Sequence, residues 1–279
     1  MAPFSIAEEI VGYWGPPTST LDWCEANYEV SYFIAEFWNT ISNLSMIIPP
    51  IYGIIQCYQN GLEKVFILNY ALLLLTGIGS WMFHMTLLYE MQLLDELPMV
   101  WGASCMLYTL YITNVSPKEQ RKFVGTVIFL YATILTITYL IIKNAFYYQI
   151  MYSVIISANI ILGTKKNYMM CGETTGLLFF GGLVLYAFGF MFWNIDTQFC
   201  SMITSSRNTK MLNHGFLTYL SPITQLHGWW HVMAGYAGYL HVMLCIQHRL
   251  NQLKVMNSIE PSIFGLKISV HKISKQRMS

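Results

Sequence analysis

Leu72-Leu73-Leu74-Leu75-Thr76-Gly77-Ile78-Gly79-Ser80-Trp81-Met82-Phe83-His84 lies within a stretch, residues 65–88, that contains no Asp, Glu, Lys or Arg. A helix rises 1.5 Å per residue, so roughly 20 apolar residues cross the hydrocarbon of a bilayer. Working outward, residues 33–55, 93–113, 123–142, 146–163, 174–193 and 218–246 are also predominantly apolar and of spanning length. The 279 residues are 55% hydrophobic and only 10% charged, where soluble domains carry about 25% charge. The expected fold is all-α: an integral membrane bundle of seven transmembrane helices. Connections are short, so residues 1–250 form one domain. Residues 1–32 are its N-terminal segment, and 251–279 are a basic tail. The opening residues lack both a basic start and an apolar core, so no secretory signal is expected.

Charge orients the bundle. Residues 1–37 contain no Lys or Arg but carry Glu8, Glu9, Asp22, Glu25, Glu29 and Glu36. Lys64, Lys118, Arg121, Lys122, Lys165, Lys166 and the basic residues from Arg249 onward, including Lys272, Lys275 and Arg277, share one side of a seven-span chain. Lys143, Arg207 and Lys210 fall on the other. The positive-inside rule then places the N-terminus in the lumen and the C-terminus in the cytosol. Cys105 and Cys245 lie within spans, and Cys57 and Cys171 near cytosolic connections, where thiols stay reduced. Cys24 and Cys200 are on the oxidising side and are expected to form a disulfide.

His227-Gly228-Trp229-Trp230-His231 stacks two imidazoles on one helical face inside the last apolar segment. Ionisable groups are costly in hydrocarbon and mark functional sites there. Ser80 and His84 repeat the four-residue spacing, and Asp95 follows eleven residues later across a tight helical hairpin around Tyr89-Glu90-Met91. Three histidines, a serine and an acid therefore converge at the luminal level. Three protein ligands with an open position describe catalytic zinc, with His84 as the third ligand. Each member has a blander reading: Ser80 as a small packing residue, Asp95 as a complement to a helix dipole. Glu90 and Glu96 rival Asp95. His241 and His248 read as satisfied interhelical hydrogen-bonders, and His214 as a solvated residue of the luminal connection. Glu36, Asn39 and Asn43 form a polar stripe on the first helix, just after Asp22-Trp23-Cys24-Glu25-Ala26-Asn27. Such oxygen donors suit calcium, although the spacing is not that of an EF-hand; a solvated acidic loop is the alternative.

Gly12-Tyr13-Trp14-Gly15-Pro16, Thr20-Leu21-Asp22-Trp23-Cys24-Glu25, Ile34-Ala35-Glu36-Phe37-Trp38-Asn39-Thr40, the run from His84 to Pro98, Phe192-Trp193-Asn194-Ile195-Asp196 and the run from His227 to His231 resemble the alkaline ceramidase family, nearest its type 3 branch. The resemblance spans roughly residues 10–250. It implies a seven-helix intramembrane hydrolase of the endoplasmic reticulum and Golgi membranes. Such an enzyme cleaves ceramides, phytoceramides or dihydroceramides, with long unsaturated acyl chains preferred, to a sphingoid base and a fatty acid. It implies zinc ligands at His84, His227 and His231, catalytic residues at Ser80 and Asp95, and a disulfide between Cys24 and Cys200. It implies a structural or regulatory calcium at Asp22, Trp23 (backbone carbonyl), Glu25, Asn27 and Glu36. In the expected mechanism Asp95 is the general base and acid, and Ser80 hydrogen-bonds the oxyanion. The expected partners are bilayer lipids, with no nucleic acid and no obligate protein. A hydrolase of another lipid amide or ester, and a non-catalytic seven-helix receptor, are the alternatives.

Overall fold

The structure is a computed structural model that describes residues 11–113, 118–169, 172–213 and 222–270. Cys171, His214, Lys272, Lys275, Arg277 and residues 218–221 of the last expected span lie outside the described residues. The chain is mostly helical. Its order is α1 (Phe37–Ser42), α2 (Leu44–Gln59), α3 (Lys64–Thr86), α4 (Tyr89–Ile112), α5 (Lys118–Ile142), α6 (Ala145–Met169), α7 (Glu173–Gln198), α8 (Cys200–Asn213), α9 (Leu226–Gln252) and then strands β1 (Asn257–Ser262) and β2 (Gly265–Val270). Among the described residues four helices, α3, α5, α6 and α7, are long and apolar enough to cross a membrane. Large apolar side chains such as Phe129, Ile134, Ile141, Ile161, Leu177 and Phe188 stand outward on the last three. That pattern suits lipid rather than water, and the protein is a multi-pass membrane protein.

The first expected span is broken. Asn43 interrupts the helical run between α1 and α2, and Glu36 sits before α1 as its N-cap. The polar stripe nevertheless faces inward, because Glu36, Asn39 and Asn43 are all buried. The α3–α4 hairpin turns two residues earlier than expected, at Leu87, which adopts a left-handed conformation with φ 52°. Bulky residues rarely take that conformation. Here the N-terminal segment holds it: the Leu87 carbonyl accepts the N–H groups of Thr18 and Ser19, both at 3.1 Å. The Thr18 hydroxyl in turn accepts the Tyr89 N–H, at the start of α4.

Helices approach closely where side chains vanish, as expected in membranes. A Cβ at Gly79 would stand 2.0 Å from the Leu94 carbonyl oxygen, and one at Gly235 2.6 Å from the Met46 side chain. These contacts join α3 to α4 and α9 to α2. One apolar core, containing Phe66, Tyr70, Leu110, Tyr239 and Met243, fills the end of the bundle distant from the N-terminal segment. A second, around Val100, Leu135, Tyr139 and Tyr148, joins α4 to α5 and α6.

Two expectations change here. Residues 257–270 of the supposed tail form an antiparallel hairpin packed on α2 and against Tyr239 of α9. Its Ile268 is 1% exposed. Asn60 bonds Ile268 O and Val270 N–H, while the Tyr239 hydroxyl bonds both Leu266 N–H and O. Side chains of the bundle thus satisfy the outward edge of β2, and Pro261 on β1 has no N–H to satisfy. The short strands carry no strong periodic signal, which is why they read as tail. Second, neither ring nitrogen of buried His248 has a hydrogen-bond partner among the described residues, so it is not the satisfied hydrogen-bonder expected; Nε2 of His241 is likewise without one.

Candidate functional site

His84 occupies the last turn of α3, while His227 and His231 occupy the first turns of α9. Their ring centroids lie 5.0, 4.7 and 4.5 Å apart. One nitrogen from each falls within 4.8 Å of the others, close enough to share one metal ion, and all three residues are buried. Neighbours orient two of the rings. His84 Nδ1 lies 2.5 Å from Glu36 Oε2. His231 Nδ1 lies 3.1 Å from the Asn39 carbonyl and 2.8 Å from Ser42 Oγ. A carboxylate and a carbonyl only accept, so each Nδ1 carries the proton and each Nε2 keeps its lone pair. Nε2 of His84 and Nδ1 of His227 are buried without a hydrogen-bond partner. Orphaned nitrogens gathered in one place need a physical reason, and a shared cation supplies one.

Ser80 lies one turn before His84 on the same face of α3 and is buried. The close approach of Gly79 to Leu94 and the Asp95 backbone nitrogen sets the two helices at van der Waals distance there and brings Ser80 near Asp95, although the buried Ser80 hydroxyl makes no hydrogen bond among the described residues. Asp95 is the seventh residue of α4, beyond the first turn in which the helix dipole acts, which removes the dipole reading. Its rival Glu96 is engaged elsewhere: Tyr139 and Gln92 donate to its carboxylate. Gln92 also bonds Thr20 of the N-terminal segment. Glu90 is at the exposed start of α4.

Asp22, Trp23, Glu25 and Glu36 lie near one another beside the histidines, less tightly. Glu25 accepts the N–H groups of Trp38 and Asn39 at 2.7 and 2.8 Å, at the N-terminus of α1. Burial, with the charge of Glu36 close by, pushes the Glu25 carboxyl up to about 8. The charge of Asp22 also acts on Glu36, and the backbone N–H of Trp23 faces the Glu36 carboxylate. Glu36 Oε1 and Asn27 Oδ1 are buried without partners. Among the described residues these carboxylates do not draw into a cluster as tight as the three histidines. Glu36 serves both places, since its other oxygen holds His84 and the Asn39 side chain. Cys24 and Cys200 form the expected disulfide, with Cα atoms 5.2 Å apart. Trp23 next to it stacks on His227 with ring centroids 3.7 Å apart.

Two organising residues escaped the sequence reading. Asp196 is 1% exposed and accepts the Cys24 N–H at 3.2 Å. It also receives the backbone N–H groups of Leu226 and His227, and so caps α9 at the histidine end. Arg207 bonds the Cys24 and Thr224 carbonyls, anchoring the disulfide loop from α8. Asp196 stood in the sequence only as the last residue of Phe192-Trp193-Asn194-Ile195-Asp196 at the end of an apolar helix, with no role attached to it. Nothing local marked Arg207.

The fold and the site define a multi-pass helical membrane protein whose helices meet at a buried cluster of three histidines, with a serine–aspartate pair one turn away. The chain matches the family described as Ceramidase over residues 15–267. It is 39% identical to alkaline ceramidase 3 of Mus musculus over 268 residues, 95% of this chain and 96% of that one. It is 34% identical to alkaline ceramidase YPC1 of Saccharomyces cerevisiae over 263 residues, covering 88% and 81%. To an alkaline ceramidase of Arabidopsis thaliana it is 30% identical over 239 residues, covering 84% and 85%. The chain belongs to the ceramidase family.

Proposed function

We propose that the chain is a zinc-dependent intramembrane amidase that hydrolyses ceramide, phytoceramide or dihydroceramide with long unsaturated acyl chains. The products are a sphingoid base and a fatty acid. The observation that carries this reading is the set of buried, unpartnered histidine nitrogens one helical turn from a serine that faces an aspartate, in a chain of the ceramidase family. His84, His227 and His231 would hold the zinc. When bound there it polarises a carbonyl and acidifies water, the two things an unactivated amide requires. Asp95 takes the proton of the attacking water and returns it to the leaving amine. The Ser80 hydroxyl donates to the oxygen on which negative charge develops. Serine as nucleophile is disfavoured because the neighbouring histidines are committed and none remains as its base.

Calcium is proposed at Asp22, the Trp23 carbonyl, Glu25, Asn27 and Glu36. Two orphaned oxygens and two mutually repelling buried acids support it. Seven spans, a luminal N-terminus and a cytosolic C-terminus in endoplasmic reticulum and Golgi membranes complete the reading. In support, Arg207 sits with the N-terminal segment at one end of the bundle. Arg249, Glu63 and the hairpin gather at the other.

Purified protein given a ceramide panel, with sphingoid base and fatty acid measured by mass spectrometry, tests the proposal. His231→Ala, Asp95→Asn and a zinc chelator should each abolish turnover. Product formation that survives all three refutes the zinc mechanism. No sphingoid base from any ceramide with active-site zinc present refutes the substrate, and other lipid amides and esters come next.

A further inference from the structure

Trp23 is half-buried, and its placement is not explained by packing alone. Its indole stacks on His227 at 3.7 Å and 20°, and lies 6.4 Å from the ring of His84. It thus covers one side of the histidine cluster. On its far side it meets Trp193 edge-on at 6.2 Å, and Trp193 stacks on Phe190 at 5.8 Å. Phe190 is 52% exposed on the apolar helix α7. A continuous aromatic shelf therefore runs from the lipid-facing surface to the histidines and ends at Trp23. The indole Nε1 is buried there with no hydrogen-bond partner. Buried tryptophan N–H groups ordinarily find an acceptor, and an unmet donor costs free energy.

The backbone around Trp23 is held more firmly than a wall requires. The disulfide ties its neighbour Cys24 to Cys200. Asp196 takes the Cys24 N–H and Arg207 the Cys24 carbonyl. An orphaned donor on a ring stacked against a metal-type cluster, next to a backbone held at Cys24, is placed as a recognition group.

Resting on the amidase reading above, we propose that Trp23 is a specificity-determining residue: its ring bounds the reaction site and its N–H donates a hydrogen bond to an oxygen of the substrate's polar head. The ligand class is a long-chain lipid amide carrying hydroxyl groups. The aliphatic tails lie toward the shelf, and the head oxygen meets the indole.

Trp23→Phe keeps an aromatic face for His227 and removes the N–H. With zinc content unchanged, kcat/KM on ceramide should fall roughly tenfold, the size of losing one neutral donor from a desolvated partner. Binding of intact ceramide to chelator-stripped protein, read by a vesicle-partition assay, should weaken by a similar factor. If Trp23→Phe matches wild type in both measurements, the proposal is overturned. It is also overturned if turnover per bound zinc is unchanged while zinc content drops, because the ring then only positions His227. Should Trp23→Phe fail to fold, 3-benzothienylalanine at this position replaces the N–H by sulfur at constant shape, and the same two measurements decide. Absence of ceramide turnover by wild type counts against the amidase reading instead, and leaves the binding comparison standing.

Discussion

Gly79→Ala is the sharpest test of how the fold builds the site. A Cβ at Gly79 would stand 2.0 Å from the Leu94 carbonyl oxygen, 2.5 Å from its carbon and 2.8 Å from the Asp95 nitrogen. All three are backbone atoms, so no side chain can swing aside. Ordinary contact begins near 3.4 Å, so α4 must move from α3 by about 1.4 Å along that line. Asp95 is carried with it, away from Ser80. Misplacing a catalytic group by about 1 Å can cost on the order of 100-fold in rate. Overpacking of this kind costs about 1–3 kcal/mol of stability. If Asp95 and the histidines act as proposed, kcat falls about 100-fold, with KM changed far less and zinc content near wild type, since the histidines come from α3 and α9. Steady-state turnover in detergent, thermal unfolding and metal analysis read the three quantities. Gly102→Ala is the control: its Cβ would meet only Leu72 Cβ at 3.7 Å, on the same pair of helices. A Gly79→Ala enzyme with kcat within twofold of wild type would falsify the placement of Asp95 by this contact.

Glu36→Gln keeps the volume but weakens the acceptor on His84 Nδ1, so zinc affinity should drop about 10–100-fold in competition with a chelator; unchanged affinity removes Glu36 from the metal's support. Asp196→Ala uncaps α9 and leaves the Cys24 N–H unmet. A loss of about 1–2 kcal/mol in unfolding free energy, with reduced zinc retention, is expected; full retention shows that the cap does not hold His227. Truncation after Lys254 removes the hairpin and uncovers the core beneath Ile268. Losing that side chain alone forfeits about 1.5–3 kcal/mol, so the melting temperature in detergent should fall clearly, and an unshifted melt would return the segment to the status of a tail. Replacing Cys24 and Cys200 together by Ser opens a 176-residue closure and should cost about 2–5 kcal/mol; a melt equal to that of wild type under oxidising conditions refutes a stabilising disulfide.

Much of the site was legible because its chemistry conflicts with its surroundings. His84, Asp95, His227 and His231 stand out as ionisable groups in apolar runs, and hydrocarbon tolerates those only with a purpose. Periodicity placed Ser80 and His84 on one face, and the compartment rule paired Cys24 with Cys200. What stayed hidden shares a different property. Leu87 turns the α3–α4 hairpin because Thr18 and Ser19 reach back to its carbonyl. Asp196 matters because the N-terminus of α9 arrives beside it. Glu36 belongs to the histidine cluster as well as to the acidic loop because one carboxylate is shared between them. None of these has a local signature, since each is a meeting of segments far apart in the chain.

The sequence by itself determined a helical membrane protein with a hydrolase-like set of polar residues. Hydropathy, helical spacing and charge bias act residue by residue along one chain, and so can be read from it. Only the tertiary structure decided which oxygen holds which imidazole, that Gly79 sets Asp95 against Ser80, that Trp23 roofs the histidines, and that the last residues form a hairpin in the bundle. Those outcomes follow from close packing and hydrogen-bond satisfaction between distant segments, and such terms have no value until the chain is folded.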